Sequence, residues 1–278
     1  MTEHIECFYD INNFKIFSRE WQTKPPKAMI VLLHGYCGHS GRMDRLSEKL
    51  VASGILLCAP DHPYHGKSSG EPRAYIPSIQ VYIDVENTYI DIVKEKYNSD
   101  GKIPMFVMGH SMGGLIASIL SHKRNDLSGG IGSAPAYQIN NFLVLWFYYF
   151  FALIVYFFPF LSVPGKVTRA DFPTESAMKS YLSDPLITEG KHYIKSAIEM
   201  AWAGDNEMKT KTTIPFLLYG GNADRSVTMK GMNTKATNLN NEKSKVIVYE
   251  GKSHCLYEED NLDEQVDNIM KWISNLSY

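Results

Sequence analysis

Short runs of consecutive apolar or small residues recur along this chain, separated by longer stretches whose apolar positions repeat every three or four residues. The runs occupy residues 28–33, 55–60, 104–108, 129–134, 214–219 and 245–249. They lack the polar alternation of a one-sided strand, so they read as strands in a mostly parallel sheet covered on both faces. The intervening periodic stretches predict helices. Residues 41–52 carry Met43, Leu46, Leu50 and Val51 at helical spacing, and residues 78–97 carry Val81, Val85, Tyr89, Ile92 and Val93. Further helices are expected over 114–120 and 260–276. Two shorter runs near the start, 5–9 and 14–21, flank Asp10, Asn12 and Asn13 and predict an antiparallel hairpin. Strands alternating with helices define an α/β protein, with no internal repeat or low-complexity tract.

Composition narrows the function classes. A chain of 278 residues accommodates one large α/β domain or two small ones. Lys and Arg total 28 against 30 Asp and Glu, which gives no electrostatic footprint for nucleic acid. Cys7, Cys37, Cys58 and Cys255 are scattered, with neither C-x-x-C nor zinc spacing, and read as reduced thiols of a cytoplasmic-type setting. The first residues lack a basic region followed by an apolar core, and position 2 is not glycine. Neither a signal peptide nor N-myristoylation is therefore expected. The uncharged aromatic run over 142–158 has the length of a membrane span. It lies mid-chain between strands of one sheet, however, so a buried or membrane-surface helical hairpin is the expectation.

Chemistry enters at Gly109-His110-Ser111-Met112-Gly113. This G-x-S-x-G follows an expected buried strand and opens an expected helix, the context of a nucleophile elbow that holds a serine hydroxyl exposed at a helix N-terminus. A serine hydroxyl needs a base, and the base needs an orienting carboxylate. In proteins with this turn the chain order is Ser, Asp/Glu, His, and catalytic groups sit at the C-terminal ends of parallel strands. Asp224 follows the run 214–219 and His254 follows the run 245–249. The rivals Asp184 and Asp205 lack a strand immediately before them. The expected oxyanion donors are the backbone N–H groups of Met112, directly after the serine, and of Tyr36, in His34-Gly35-Tyr36 after the first parallel strand. His62-Pro63-Tyr64-His65 has a loose metal-like spacing without a nearby acidic ligand and reads as a structural loop. His39 and Asp44 form an H-x4-D pattern read as coincidence. No metal site is expected.

Together, His34-Gly35-Tyr36-Cys37-Gly38-His39-Ser40-Gly41-Arg42, Asp61-His62-Pro63-Tyr64-His65-Gly66-Lys67-Ser68, the elbow, Ser183-Asp184-Pro185-Leu186 and Tyr249-Glu250-Gly251-Lys252-Ser253-His254 resemble the monoglyceride lipase and lysophospholipase-like serine hydrolases. The resemblance runs from about residue 28 to the end of the chain. It implies an α/β-hydrolase fold, no cofactor, and hydrolysis of a carboxylic ester of a single-chain glycerolipid through an acyl-enzyme. It places the triad at Ser111, Asp224 and His254. It also implies a core of residues 1–135 and 189–278 with a cap inserted over 136–188.

Such a cap accounts for the aromatic run. It would wall an acyl tunnel, where each buried methylene contributes about 0.8 kcal/mol, and would rest on a bilayer surface where substrate is found. Trp146 and Phe150 are its candidate lipid contacts. Members that cleave monoglycerides often carry an acidic residue where Gly38 stands and a histidine where Tyr257 stands; with Arg42, these contact the glycerol end. Arg42 is retained, so Arg42 and Tyr257 are the candidate head-group contacts, with a helix-face salt bridge as the alternative for Arg42 and a lysophospholipid head group as the alternative to glycerol. Cys37 and Cys255, beside the oxyanion loop and the candidate base, read as inert buried thiols, with a thiol-reagent-sensitive pocket as the alternative. A general carboxylesterase or thioesterase, and a catalytically silent lipid-binding protein of the same fold, are the remaining alternatives. The expected location is cytoplasmic, peripheral to membranes if the cap docks, and the sequence specifies no oligomeric state.

Overall fold

The computed structural model describes residues 3–139, 154–165, 168–188 and 190–276. The expected hairpin is β1 (Ile5–Ile11) and β2 (Phe14–Trp21). Its turn residues Asn12 and Asn13 take positive φ angles of 47° and 68°, a region where asparagine is better tolerated than most residues. Next come β3 (Ala28–Leu33), β4 (Ile55–Pro60), β5 (Met105–His110) and β6 (Gly129–Ser133). Two short strands follow, β7 (Ser162–Val163) and β8 (His192–Tyr193), and then β9 (Phe216–Gly221) and β10 (Lys245–Tyr249).

Eight of these strands form one sheet in the order β1-β2-β4-β3-β5-β6-β9-β10. Pairing is parallel from β4 through β10, while β1–β2 and β2–β4 are antiparallel. The strands β3, β4, β5, β6 and β9 are buried along their whole length, as unbroken apolar runs require. At the sheet edge β10 departs from that pattern: Val246 and Val248 are partly exposed, because an edge strand has a neighbour on only one side.

The helices are α1 (Asp44–Ala52), α2 (Ile79–Asn98), α3 (Met112–Lys123), α4 (Glu175–Leu182), α5 (Ile194–Glu207), α6 (Met229–Ala236) and α7 (Leu262–Asn275). The helix expected over 41–52 is divided. A 3-10 turn, Ser40–Met43, is capped by the His39 side chain, and α1 begins only at Asp44. Ser78 caps α2, its hydroxyl accepting from Gln80 N–H. The helices α4, α5 and α6 were not marked by the apolar pattern. The inward face of α5 carries Ser196, Gly204 and Glu207 among its apolar residues, which blurs the periodicity.

Glu207 explains how α3, α5 and α6 lock together. Its carboxylate accepts from Ser118 Oγ at 2.6 Å, His122 Nε2 at 2.7 Å and Lys235 Nζ at 2.5 Å. Lys235 is fully buried and also donates to the carbonyls of Glu207 and Thr210 at 3.0 Å. A buried ammonium is tolerable only with such partners. His122 closes this cluster, and His192 packs edge-on to Tyr36 at 5.8 Å.

Between β6 and β9, β7 pairs antiparallel with β8. Phe172 and Tyr181 are buried against each other at 5.2 Å. The Thr188 N–H reaches the Cys37 carbonyl at 3.3 Å. Tyr156, Phe157, Phe158 and Phe160 are exposed, Tyr156 by 79%. Trp146 and Phe150 lie outside the described residues. Among the described residues, no helix is long and apolar enough to cross a membrane.

Candidate active site

The centre of the sheet positions Ser111. It follows β5 directly and precedes α3, with φ 53° and ψ −116°. Its N–H donates to the Ser133 carbonyl at 2.9 Å, and its own carbonyl accepts from Leu115 and Ala136 N–H at 3.0 Å. The backbone around this turn is packed against itself. A Cβ at position 109 would stand 2.1 Å from the Gly113 carbonyl oxygen, and one at position 113 would stand 2.2 Å from the Leu33 carbonyl oxygen. The two glycines of the motif are thus required by close backbone approach, and the serine between them is left partly exposed at the mouth of the sheet.

Two loops from neighbouring strands bring Asp224 and His254 together. Asp224 follows β9, and its Oδ1 accepts from the N–H groups of Ser226 at 2.8 Å and Val227 at 3.0 Å. Its Oδ2 accepts from His254 Nδ1 at 2.7 Å. The Asp224 side chain is only 2% exposed, so the carboxylate cannot rotate away to water. His254 follows β10, and its ring packs at a tilt, 4.8 Å from that of His110, the residue before Ser111. With Nδ1 committed to Asp224, Nε2 is the nitrogen left for a proton acceptor's role.

The β9 and β10 loops are stitched to each other. Ala223 N–H donates to the Lys252 carbonyl at 3.0 Å, and Gly251 N–H donates to Asn222 Oδ1 at 2.7 Å. Glu259 holds the residue before His254: its Oε1 accepts from Ser253 N–H at 2.8 Å and Ser253 Oγ at 2.6 Å. Asp171 ties both loops to the segment between β7 and β8. Its carboxylate accepts from Ser226 Oγ at 2.6 Å, and its carbonyl accepts from Cys255 N–H at 3.0 Å. Neither Glu259 nor Asp171 stood out in the sequence. Glu259 lies five residues beyond His254 and carried a weak positional signal; Asp171 carried none.

The loop that carries the expected oxyanion donor Tyr36 lies against Ser111. A Cβ at position 35 would stand 3.3 Å from Ser111 Cβ. The Gly35 carbonyl accepts from Gly38 N–H at 3.1 Å and from His34 Nδ1 at 2.8 Å. In a planar trans peptide the N–H points opposite to the carbonyl, so these bonds turn the Tyr36 N–H away from the loop's own interior. Met112 is the first residue of α3, and its N–H has no partner within the helix.

His34 is itself buttressed. Its Nε2 accepts from His62 N–H at 2.9 Å, and its ring packs on His62 at 4.3 Å and on His65 at 5.4 Å. His62 meets Glu86 at 2.6 Å. Burial, with lesser repulsion from neighbouring histidines, holds His34 well below the usual imidazole range and lowers His65 to about 3. His110 is likewise depressed by burial and then by its proximity to His254. These rings are neutral supports. Among the described residues, no group of three or more His, Cys, Asp or Glu side chains is arranged to hold a metal ion.

The candidate head-group contacts flank the His254 turn. Tyr257 is buried, its ring 5.0 Å from His110, and its hydroxyl donates to Cys255 Sγ at 3.8 Å. Arg42 is held in ion pairs with Glu258 at 3.1 Å and Asp184 at 3.6 Å. His39 pairs with Asp184 and Asp44 with Arg19, so the H-x4-D residues face different partners. Burial keeps the Cys255 thiol strongly protonated. Gly38 contributes only its backbone, bonded to Gly35.

Human monoglyceride lipase is 29% identical over 93% of this chain and 86% of its own length. Monoacylglycerol lipase of Mycolicibacterium smegmatis is 24% identical over 98% of this chain and 96% of its own. The crystal structure of a soluble variant of Saccharomyces cerevisiae monoglyceride lipase, bound to a substrate analogue, superposes with a TM-score of 0.88 at 18% identity, over 100% of this chain and 97% of that one. The family Hydrolase_4, described as serine aminopeptidase, S33, matches residues 24–261. With an eight-stranded sheet, a serine on its central elbow and a match over most of its length, the chain belongs to that family and is a serine hydrolase of the α/β-hydrolase fold.

Proposed function

We propose that this hydrolase cleaves the carboxylic ester of monoacylglycerols, with Ser111 as nucleophile, His254 as general base and acid, and Asp224 as the carboxylate that orients His254. The observation that carries the reading is the Asp224–His254 bond of 2.7 Å, made by two adjacent strand-end loops beside the partly exposed elbow serine. The substrate class is supported by the near full-length similarity to monoglyceride lipases.

In this mechanism His254 Nε2 takes the Ser111 proton as Oγ attacks the ester carbonyl. The negative charge passes to the carbonyl oxygen, where the Tyr36 and Met112 N–H groups stabilise it. His254 then donates its proton to the departing glycerol oxygen, leaving an acyl-Ser111. Water, deprotonated by His254, attacks the acyl carbon, and the proton returns to Ser111 Oγ as the fatty acid leaves. Asp224 keeps Nδ1 protonated throughout and offsets the imidazolium charge.

The insertion over 136–188 is the cap in this reading, and its outer face docks on a lipid surface. Exposed Tyr156, Phe157, Phe158 and Phe160 continue the uncharged run that contains Trp146 and Phe150, the candidate acyl contacts. An apolar, aromatic-rich edge of this kind suits the interfacial region of a bilayer. Flotation with phosphatidylcholine vesicles tests it: Phe157→Asp with Phe158→Asp should abolish co-flotation, and unchanged flotation would refute the docking. Release of oleate from 1-oleoylglycerol tests the activity. The wild type should turn it over and Ser111→Ala should not; equal rates would refute the assignment.

A further inference from the structure

Helix α2 buries a carboxyl group against a histidine. Glu86 is fully buried on the inner face of α2, and its Oε1 meets His62 Nδ1 at 2.6 Å. Its Oε2 is buried with no hydrogen-bond partner among the described residues. Taking a carboxyl group out of water is costly, and an unbonded oxygen adds to the cost. An apolar side chain would pack the helix without either. What only the carboxyl group supplies is its grip on His62.

From His62 the contacts run to the loop that carries Tyr36. His62 Nε2 lies 3.0 Å from the His34 carbonyl oxygen, and the His62 backbone N–H donates to His34 Nε2 at 2.9 Å. A carbonyl oxygen only accepts, so His62 Nε2 carries a proton. His34, whose Nε2 accepts, carries its own proton on Nδ1 and donates it to the Gly35 carbonyl at 2.8 Å. Whether the proton between Glu86 and His62 Nδ1 rests on oxygen or on nitrogen, Nε2 stays the donor. Without the carboxyl group a neutral imidazole places its proton on either nitrogen, and the tautomer with a bare Nε2 would set lone pairs against each other at the His34 carbonyl. The two carbonyls held in this way belong to the consecutive peptides His34–Gly35 and Gly35–Tyr36, and the second of these carries the Tyr36 N–H. A Cβ at position 35 would stand 3.3 Å from Ser111 Cβ, so a shift of these peptides is felt beside the serine. Asp61, the residue before His62, holds the far side of the same loop: its Oδ1 accepts from Ser40 N–H at 2.7 Å.

We propose that Glu86 is a positioning residue for the oxyanion hole: through His62 and His34 it fixes the peptide whose Tyr36 N–H receives the charge that develops on the ester carbonyl. The inference rests on the Ser111 mechanism above and is independent of the head group.

The test compares the wild type, Glu86→Leu and Glu86→Gln on p-nitrophenyl butyrate, whose hydrolysis needs the oxyanion hole but no glycerol. Glu86→Leu should lower kcat by about tenfold, below the roughly hundredfold cost of removing one oxyanion donor outright, with KM within about twofold. Its affinity for 1,1,1-trifluoropentan-2-one, to which Ser111 adds to give a charged hemiketal of matching chain, should fall by the same factor. The pH at which kcat/KM is half-maximal should not move, because Asp224 and His254 are untouched. Glu86→Gln should restore kcat and inhibitor affinity, since its amide N–H donates to Nδ1 and keeps the proton on Nε2. The double variant Glu86→Leu with His62→Phe leaves no side-chain nitrogen unpaired; it should show the same loss, and it tests the same link if Glu86→Leu does not fold. Wild-type kcat in the folded leucine variants, a raised KM at unchanged kcat, a shifted pH profile, or a glutamine variant as slow as the leucine one overturns the inference. A wild type that leaves p-nitrophenyl butyrate intact, or that Ser111→Ala matches in rate, overturns the mechanism itself.

Discussion

Ser111 is held at φ 53° and ψ −116°, a conformation that costs a residue with a side chain about 1–3 kcal/mol. The surrounding backbone enforces it, through the Ser133 and Ala136 hydrogen bonds and the two flanking glycines. Gly113→Ala should therefore be severely destabilising, since its Cβ would meet the Leu33 carbonyl oxygen at 2.2 Å and backbone there cannot yield; a melting temperature within a few degrees of wild type would contradict this. Asp224→Asn should keep the fold but lower kcat by about four orders of magnitude, the loss expected when the carboxylate that fixes a histidine tautomer becomes an amide. Steady-state kinetics on 1-oleoylglycerol checks it. At this scale the sequence was informative because each group announces itself locally. Glycines at fixed offsets around a serine, and an Asp and a His each just past an apolar run, need no knowledge of the tertiary structure. Arg42 was different. Its type fitted a head-group contact or a salt bridge equally, and its ion-pair partners Glu258 and Asp184 are distant in sequence, so nothing local identified them.

Among the elements, the loops after β9 and β10 act as one piece. Their mutual hydrogen bonds, together with Glu259 and Asp171, hold Asp224 against His254 before any substrate arrives, which is what preorganisation requires. Glu259→Gln should loosen the Ser253 contacts and lower kcat by roughly tenfold with little change in KM, because a misplaced base weakens the transition state rather than ground-state binding. A raised KM at unchanged kcat would contradict that role. The central strands were legible because β3, β4, β5, β6 and β9 are continuous runs of apolar or small residues, whereas the two-residue β7 and β8 carry no such run. The helices α4, α5 and α6 were not legible. The buried faces of α5 and α6 include Glu207 and Lys235, which neutralise each other across the two helices, and apolar periodicity cannot register a charge that is neutralised in space.

For the whole molecule, the buried histidines beneath the site have a consequence for acid stability. His34, His65 and His110 are held below the usual imidazole value by burial, His65 at about 3. Unfolded histidines protonate near pH 6.5, and these folded ones do not. Protons therefore bind preferentially to the unfolded chain as pH falls below about 6.5. Stability is full above that value and declines toward the folded pKa values, with a slope that approaches about 1.4 kcal/mol per pH unit for each such group. Thermal unfolding followed from pH 7 to pH 5 should show a falling melting temperature; a flat or rising one would contradict the burial of these rings as neutral groups. In the proposed mechanism the same frame of neutral rings, stitched loops and strained elbow serves a single end, an activated hydroxyl at position 111. That is measured most directly by reacting the folded protein with a fluorophosphonate and locating the adduct by peptide mass spectrometry. A single adduct on Ser111, lost in Ser111→Ala and much slowed in His254→Ala, is the predicted result. Equal labelling of wild type and Ser111→Ala, or an adduct on another residue, would contradict the account.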